Sequence, residues 1–173
     1  LNANPRATTW NGTQEVMYDG GTFIDVIYLF PYIGEPEMAI EAIEGASEGD
    51  FSIADDWAPR NMDLDSYQIQ WGFYRNRECR EEVPFYSYED YYALMEGLPP
   101  QIVAHYKPSL ILGLCEGWAV EPAAPIENQP VVSDVPALVL SGEIDPITPP
   151  RWAREAAGHL SNSYLHVFPG YGH

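Results

Sequence analysis

Two residues of this chain could do chemistry together. Asp145 stands three positions beyond the apolar run PALVLSG (136–142), and His173 stands three positions beyond a second run, SYLHVFPG (163–170). A carboxylate beside an imidazole is the acid–base pair of a nucleophilic triad. The carboxylate fixes the ring tautomer and stabilises the imidazolium that forms when the ring takes a proton from a hydroxyl nucleophile. The plainer alternative is that Asp145 is a turn residue before Pro146 and His173 a loop histidine.

The elements between them decide whether the two can meet. PALVLSG ends in Ser-Gly and is short and apolar, as expected of a strand buried on both faces of a parallel sheet. Thr148 is predicted to cap a helix with Pro149 at its first position. Trp152, Ala153, Ala156, Ala157 and Leu160 then recur at helical spacing up to a stop near Ser161-Asn162. In SYLHVFPG, Leu165 and Val167 alternate with His166 and Phe168 until Pro169-Gly170 break the run. The result is a βαβ unit. Its right-handed crossover makes the strands parallel and brings both C-terminal ends, with Asp145 and His173, to one sheet edge, where open α/β sheets place ligands.

The run VSDVPALVLSGEIDPITPPRWAREAAGHLSNSYLHVFPGYGH resembles the C-terminal end of the tripeptidyl aminopeptidase-like (TAP-like) α/β-hydrolases, secreted bacterial relatives of prolyl aminopeptidases. Asp-Pro-Ile-Thr-Pro-Pro (145–150) resembles that family's triad-acid loop and Gly170-Tyr171-Gly172-His173 its histidine loop. Glu78-Cys79-Arg80-Glu81-Glu82-Val83-Pro84-Phe85 resembles its cysteine-plus-acid-pair segment, and Leu1 to Pro5 and Glu48 to Ser52 are similar to it as well. The resemblance implies an α/β fold, an α/β-hydrolase fragment made of a mainly helical cap (1–125) and the last two parallel core strands (126–173). It implies Asp145 and His173 as catalytic residues. It also puts forward Glu81 and Glu82 to hold the α-ammonium of a peptide substrate, against the plainer reading of Glu78, Glu81 and Glu82 as a solvated charge run.

Composition narrows the partners. Eight basic against 26 acidic residues give a formal charge of -18, which opposes nucleic acid and anionic membranes and favours cationic ligands such as a free amino terminus. The most apolar stretch, 23–33, is too short to span a bilayer and holds Asp25 and Pro31. Cys79 and Cys115 are either two buried thiols or a cross-link worth roughly 3 to 4 kcal/mol in chain entropy; the implied export of the family favours the disulfide. No Cys/His set has metal-ligand spacing, and the expected chemistry uses no cofactor.

Along the chain, residues 1–22 read as a hairpin or loose loop around Asn11-Gly12. Phe23, Val26, Ile27 and Phe30 predict a helix ended by Pro31, and a second is expected from Pro36 to about Gly49. Residues 50–75 are rich in aromatics, Trp57, Tyr67, Trp71, Phe73 and Tyr74, which are expected mostly in a core. Ser87 is placed to cap a helix reaching about Gly97, Pro99-Pro100 to open another to Tyr106, and Ile111 to Cys115 to lead to Gly117-Trp118. The Pro-rich stretch 119–135 reads as a linker.

A triad also needs a serine at a sharp strand-to-helix turn. Gly45-Ala46-Ser47-Glu48-Gly49 matches G-x-S-x-G and precedes Asp145 and His173 in the right order. But Met38 to Glu44 before it reads as an amphipathic helix, so the match is taken as a helix end. The expectation is therefore a piece of a larger hydrolase, an exopeptidase acting at peptide N-termini, whose nucleophile lies outside this sequence and whose missing N-terminal half is its partner. The alternatives are an inactive binding or assembly module of the same architecture and an esterase.

Overall fold

The computed structural model describes residues 1–62, 70–107 and 112–173; Tyr67 and Ile111 lie outside them. The chain forms two compact units, one of residues 1–63 with 130–173 and the other of 64–129. The expected division at 125/126 separates cap from core, whereas these units also group 1–63 with the C-terminal stretch.

In the first unit, β1 (Arg6–Trp10) and β2 (Gln14–Tyr18) pair antiparallel, Arg6 opposite Tyr18. Asn11 and Gly12 both take positive φ at the turn, which Gly and Asn adopt most readily. Helix α1 (Gly20–Tyr32) starts earlier than its apolar spacing indicates, because Asp19 caps it by accepting from the N–H groups of Gly21 and Thr22. Pro31 does not end it at once but sits in its last turn, and Ile33 closes the helix by donating to the Leu29 carbonyl at 3.0 Å.

Helix α2 (Pro36–Glu48) ends on Gly49 at φ 88°. Gly49 N–H bonds to Ala46 O, and Asp50 N–H to Gly45 O at 2.9 Å. This is a Schellman closure, which calls for the positive φ of Gly49, while a Cβ on Gly45 would lie 3.1 Å from the Asp50 carbonyl oxygen. Ser47 lies in the last turn and donates to the Glu44 carbonyl at 2.7 Å, so it is no nucleophile elbow.

Helix α3 (Ser52–Met62) is absent from the sequence reading. Its inner face is written in small residues, Ala54 and Ala58, and Pro59 lies inside it. Proline removes the N–H that would bond to the Asp55 carbonyl. The Thr8 hydroxyl takes that carbonyl instead, at 2.7 Å. The core of the unit is Tyr18, Val26, Phe30, Ala42, Ala54 and Ala58, with Trp57 edge-on to Phe30 at 5.2 Å.

The βαβ unit is present as β3 (Ala137–Gly142), a helix over Pro150–Gly158 and a strand over Ser163–Phe168. The strands pair parallel, with Ala137 opposite Ser163 and Gly142 opposite Phe168. The intervening helix begins after Pro149, so Thr148 does not cap it. Nor are the strands buried on both faces: the face formed by Leu138, Leu140, Tyr164 and Phe168 is exposed. The helix covers only the other, half-buried face, that of Val139, Ser141, Leu165 and Val167.

In the second unit, α4 (Trp71–Arg77), also unforeseen, runs into a π-helical turn, Glu78–Glu82. Trp71, Phe73 and Tyr74 are exposed on it rather than in a core. Helix α5 (Tyr88–Leu94) carries a full capping box between Ser87 and Asp90. Next come α6 (Pro100–His105) and α7 (Leu112–Cys115). Cys79 and Cys115 form a disulfide, and Ala123 N–H bonds to Arg80 O at 2.8 Å. The helix over Pro150–Gly158 is then α8 and the last strand β4.

Candidate active site

The loops after β3 and β4 are laced together before any side chain is considered. Glu143 N–H bonds to Phe168 O at 3.0 Å, Ile144 N–H to Tyr171 O at 3.1 Å, and Gly170 N–H to the Glu143 carboxylate at 2.9 Å. The approach is close enough that a Cβ on Gly142 would run into the carbonyls of Gly172 and Tyr171. A Cβ on Gly172 would in turn meet the Pro31 and Tyr32 carbonyls at the end of α1. Both positions therefore require glycine, for space rather than for φ.

This lacing brings Asp145 and His173 together. His173 Nδ1 lies 3.0 Å from Asp145 Oδ2. Asp145 is only 6% exposed, and four donors surround it. Oδ1 accepts from the Ile147 and Thr148 N–H groups at 2.8 and 2.9 Å, while Oδ2 accepts from the Thr148 hydroxyl at 2.6 Å and from His173. Burial alone would push the carboxyl up. The bonds from Thr148, His173 and Ile147 outweigh it and hold the group down at about 2. At neutral pH Asp145 is an anion and can only accept, so the neutral imidazole must carry its proton on Nδ1. Nε2 is left as the basic nitrogen, and it has no hydrogen-bond partner among the described residues.

Thr148, read from the sequence as a helix cap, instead serves the acid. Its hydroxyl donates to Asp145 and lies 3.3 Å from His173 Nδ1. Behind it, the buried Ser141 hydroxyl lies 3.3 Å from the Thr148 carbonyl. Residues of α1 complete the surroundings. The Tyr28 hydroxyl donates to the Pro146 carbonyl at 3.3 Å, the Tyr32 carbonyl accepts from the His173 N–H at 2.9 Å, and the Tyr32 ring stacks on the imidazole. Burial, and then the nearby charge of Asp145, raise the Tyr28 phenol above its ordinary value. The sequence signal for these contacts was slight: two tyrosines one helical turn apart, and the glycine before His173.

The remaining predicted residues lie in the second unit. Arg77 pairs with Glu78 and, at 3.2 Å, with Glu82. Glu81 makes no hydrogen bond or ion pair among the described residues. Among the described residues no group of His, Cys, Asp and Glu could hold a metal ion, and no helix is long and apolar enough to cross a membrane.

A parallel βαβ unit with a buried acid after its first strand and a hydrogen-bonded histidine after its second is compatible with the C-terminal part of an α/β-hydrolase. Residues 103–173 match the α/β-hydrolase family model described as TAP-like protein. That match covers both Asp145 and His173 and agrees with the resemblance drawn from the sequence. Neither a curated protein nor a solved structure matches the chain.

Proposed function

We propose that this chain supplies the acid and the base of a serine-hydrolase triad, Asp145 orienting His173, in an exopeptidase that releases residues or short peptides from peptide N-termini. The observation that carries the reading is the bond from His173 Nδ1 to a buried, ionised Asp145, with Nε2 left for a nucleophile. His173 would take the proton of a serine hydroxyl and return it to the leaving amine. Ser47 is helical and does not fill that role, and on this reading the nucleophile is assigned to chain outside this sequence. The exposed face of Leu138, Leu140, Tyr164 and Phe168 fits the same view, since such a face is buried once further core elements cover it.

Of the two acids put forward for the substrate ammonium, Glu81 is the better candidate, because Glu82 is engaged by Arg77. The strongly acidic composition favours a cationic amino terminus. The disulfide accords with an exported protein, here read as secreted or held at the bacterial cell envelope.

The test is covalent labelling of the complete protein with a fluorophosphonate, together with hydrolysis of peptide amides bearing free or N-acetylated termini. One label per triad and no hydrolysis of the acetylated substrate are expected. Absence of labelling favours an inactive module, and turnover of esters with indifference to acetylation favours an esterase.

A further inference from the structure

The C-terminal end of α1 touches both loops of the candidate site. Tyr28 and Tyr32 are one turn apart, the first hydrogen-bonded to the acid loop at Pro146 and the second set against His173. Tyr32 makes two contacts of different kinds. Its carbonyl, one of the four that a helix end leaves without an internal partner, accepts from the His173 N–H at 2.9 Å. Its ring lies 5.2 Å from the imidazole, centroid to centroid, at an interplanar angle of 21°.

The backbone bond anchors the main chain of His173, and the bond to Asp145 fixes where Nδ1 points. Neither prevents the ring from rocking out of its plane. The described residues leave the His173 side chain 39% exposed. The flat face of Tyr32 supplies a restraint of that kind.

Resting on the triad reading above, we propose that Tyr32 is a positioning residue for His173. Its ring holds the imidazole plane with Nδ1 on Asp145 and Nε2 directed at the nucleophile. The hydroxyl of Tyr32 takes no part in this, so phenylalanine should serve as well.

The experiment compares the complete protein with its Tyr32→Phe, Tyr32→Leu and Tyr32→Met variants, each checked for native melting. It reads the Nδ1–H proton of His173 by 15N-edited NMR and, separately, kcat and KM. The expected result is a sharp, slowly exchanging Nδ1–H signal in the wild type and Tyr32→Phe, and its loss in Tyr32→Leu and Tyr32→Met. In those two variants kcat should fall roughly 10-fold with KM unchanged. If the leucine variant does not fold, the methionine variant, with its longer and more adaptable side chain, decides. Folded variants without the ring that keep both the signal and full kcat would overturn the proposal. A wild type that takes no fluorophosphonate label and hydrolyses nothing refutes the hydrolase reading alone. The NMR signal then still decides whether Tyr32 positions the ring.

Discussion

The Thr148 hydroxyl donates to Asp145 Oδ2 at 2.6 Å and stands 3.3 Å from His173 Nδ1, so one small side chain touches both members of the acid–base pair. Valine at this position would keep the shape and remove the donor. Of the bonds that hold the Asp145 carboxyl down, this one is the largest, and its loss should let the group rise from about 2. Thr148→Val is expected to lower kcat about 10-fold while leaving KM nearly unchanged, because the lost bond supports the base rather than the substrate. Steady-state kinetics with a single substrate would check both constants.

Gly142 and Gly172 pass each other at a separation that leaves no room for a side chain. Gly142→Ala would drive a methyl group into the backbone carbonyls of Tyr171 and Gly172, and Gly172→Ala would do the same at the end of α1. Backbone cannot give way as a flexible side chain can. Each substitution should cost roughly 1 to 3 kcal/mol of stability and disorder the histidine loop. The readouts are denaturant midpoints and loss of fluorophosphonate reactivity, with Gly158→Ala, whose added Cβ meets nothing within 4 Å, as the tolerated control.

The contact between Asp145 and His173 was legible in sequence because two short apolar runs joined by a helical pattern put their C-terminal ends on one edge. Helix α2 was legible for the same kind of local reason, from Pro36 at its start to Gly49 at its end. What escaped is carried by atoms that sequence does not distinguish. The brace on His173 runs partly through the main-chain carbonyl of Tyr32, which any residue would possess, and only Gly172 hinted that something passes close by. Helix α3 escaped because its buried face is Ala54 and Ala58 and because Pro59 marks a break; the compensation, Thr8 on the Asp55 carbonyl, comes from a strand 47 residues away. The exposure of Leu138 and Leu140 was likewise invisible, since an apolar strand reads the same whether or not both faces are covered.

Asp55 joins the hairpin to α3. Its carboxylate receives Arg6 Nε and Nη2 at 3.1 and 2.7 Å and the hydroxyl of Tyr18 at 2.5 Å. Burial raises the Tyr18 phenol, to about 12, with the bond to Asp55 adding to the effect. Asp55→Ala would leave that hydroxyl buried without its acceptor, at a cost of roughly 1 to 3 kcal/mol. Tyr18→Phe with Asp55→Ala should recover part of the loss, since no buried donor then remains unpaired. A double-mutant cycle by chemical denaturation gives the coupling.

The pH dependence of Asp145 can be predicted with its sign. The folded-state value, about 2, lies below the ordinary carboxyl value of 3.8, so the folded state favours the charged form. The stabilising contribution is therefore fully present above about pH 4 and is lost as pH falls through 2. Asp145→Asn removes the charge but keeps the size, leaving an amide that accepts through only one of its atoms. The variant should be less stable than the wild type at pH 5 to 7, and the gap should close as pH approaches 2. Its kcat should fall by about 10³ to 10⁴ with little change in KM, because the imidazole is no longer held in the tautomer that leaves Nε2 basic. Thermal melts of both proteins from pH 2 to 7, with single-substrate kinetics at pH 7, test the two halves of this expectation. A stability gap independent of pH would show that the loss comes from the amide's mismatched hydrogen bonds rather than from the missing charge.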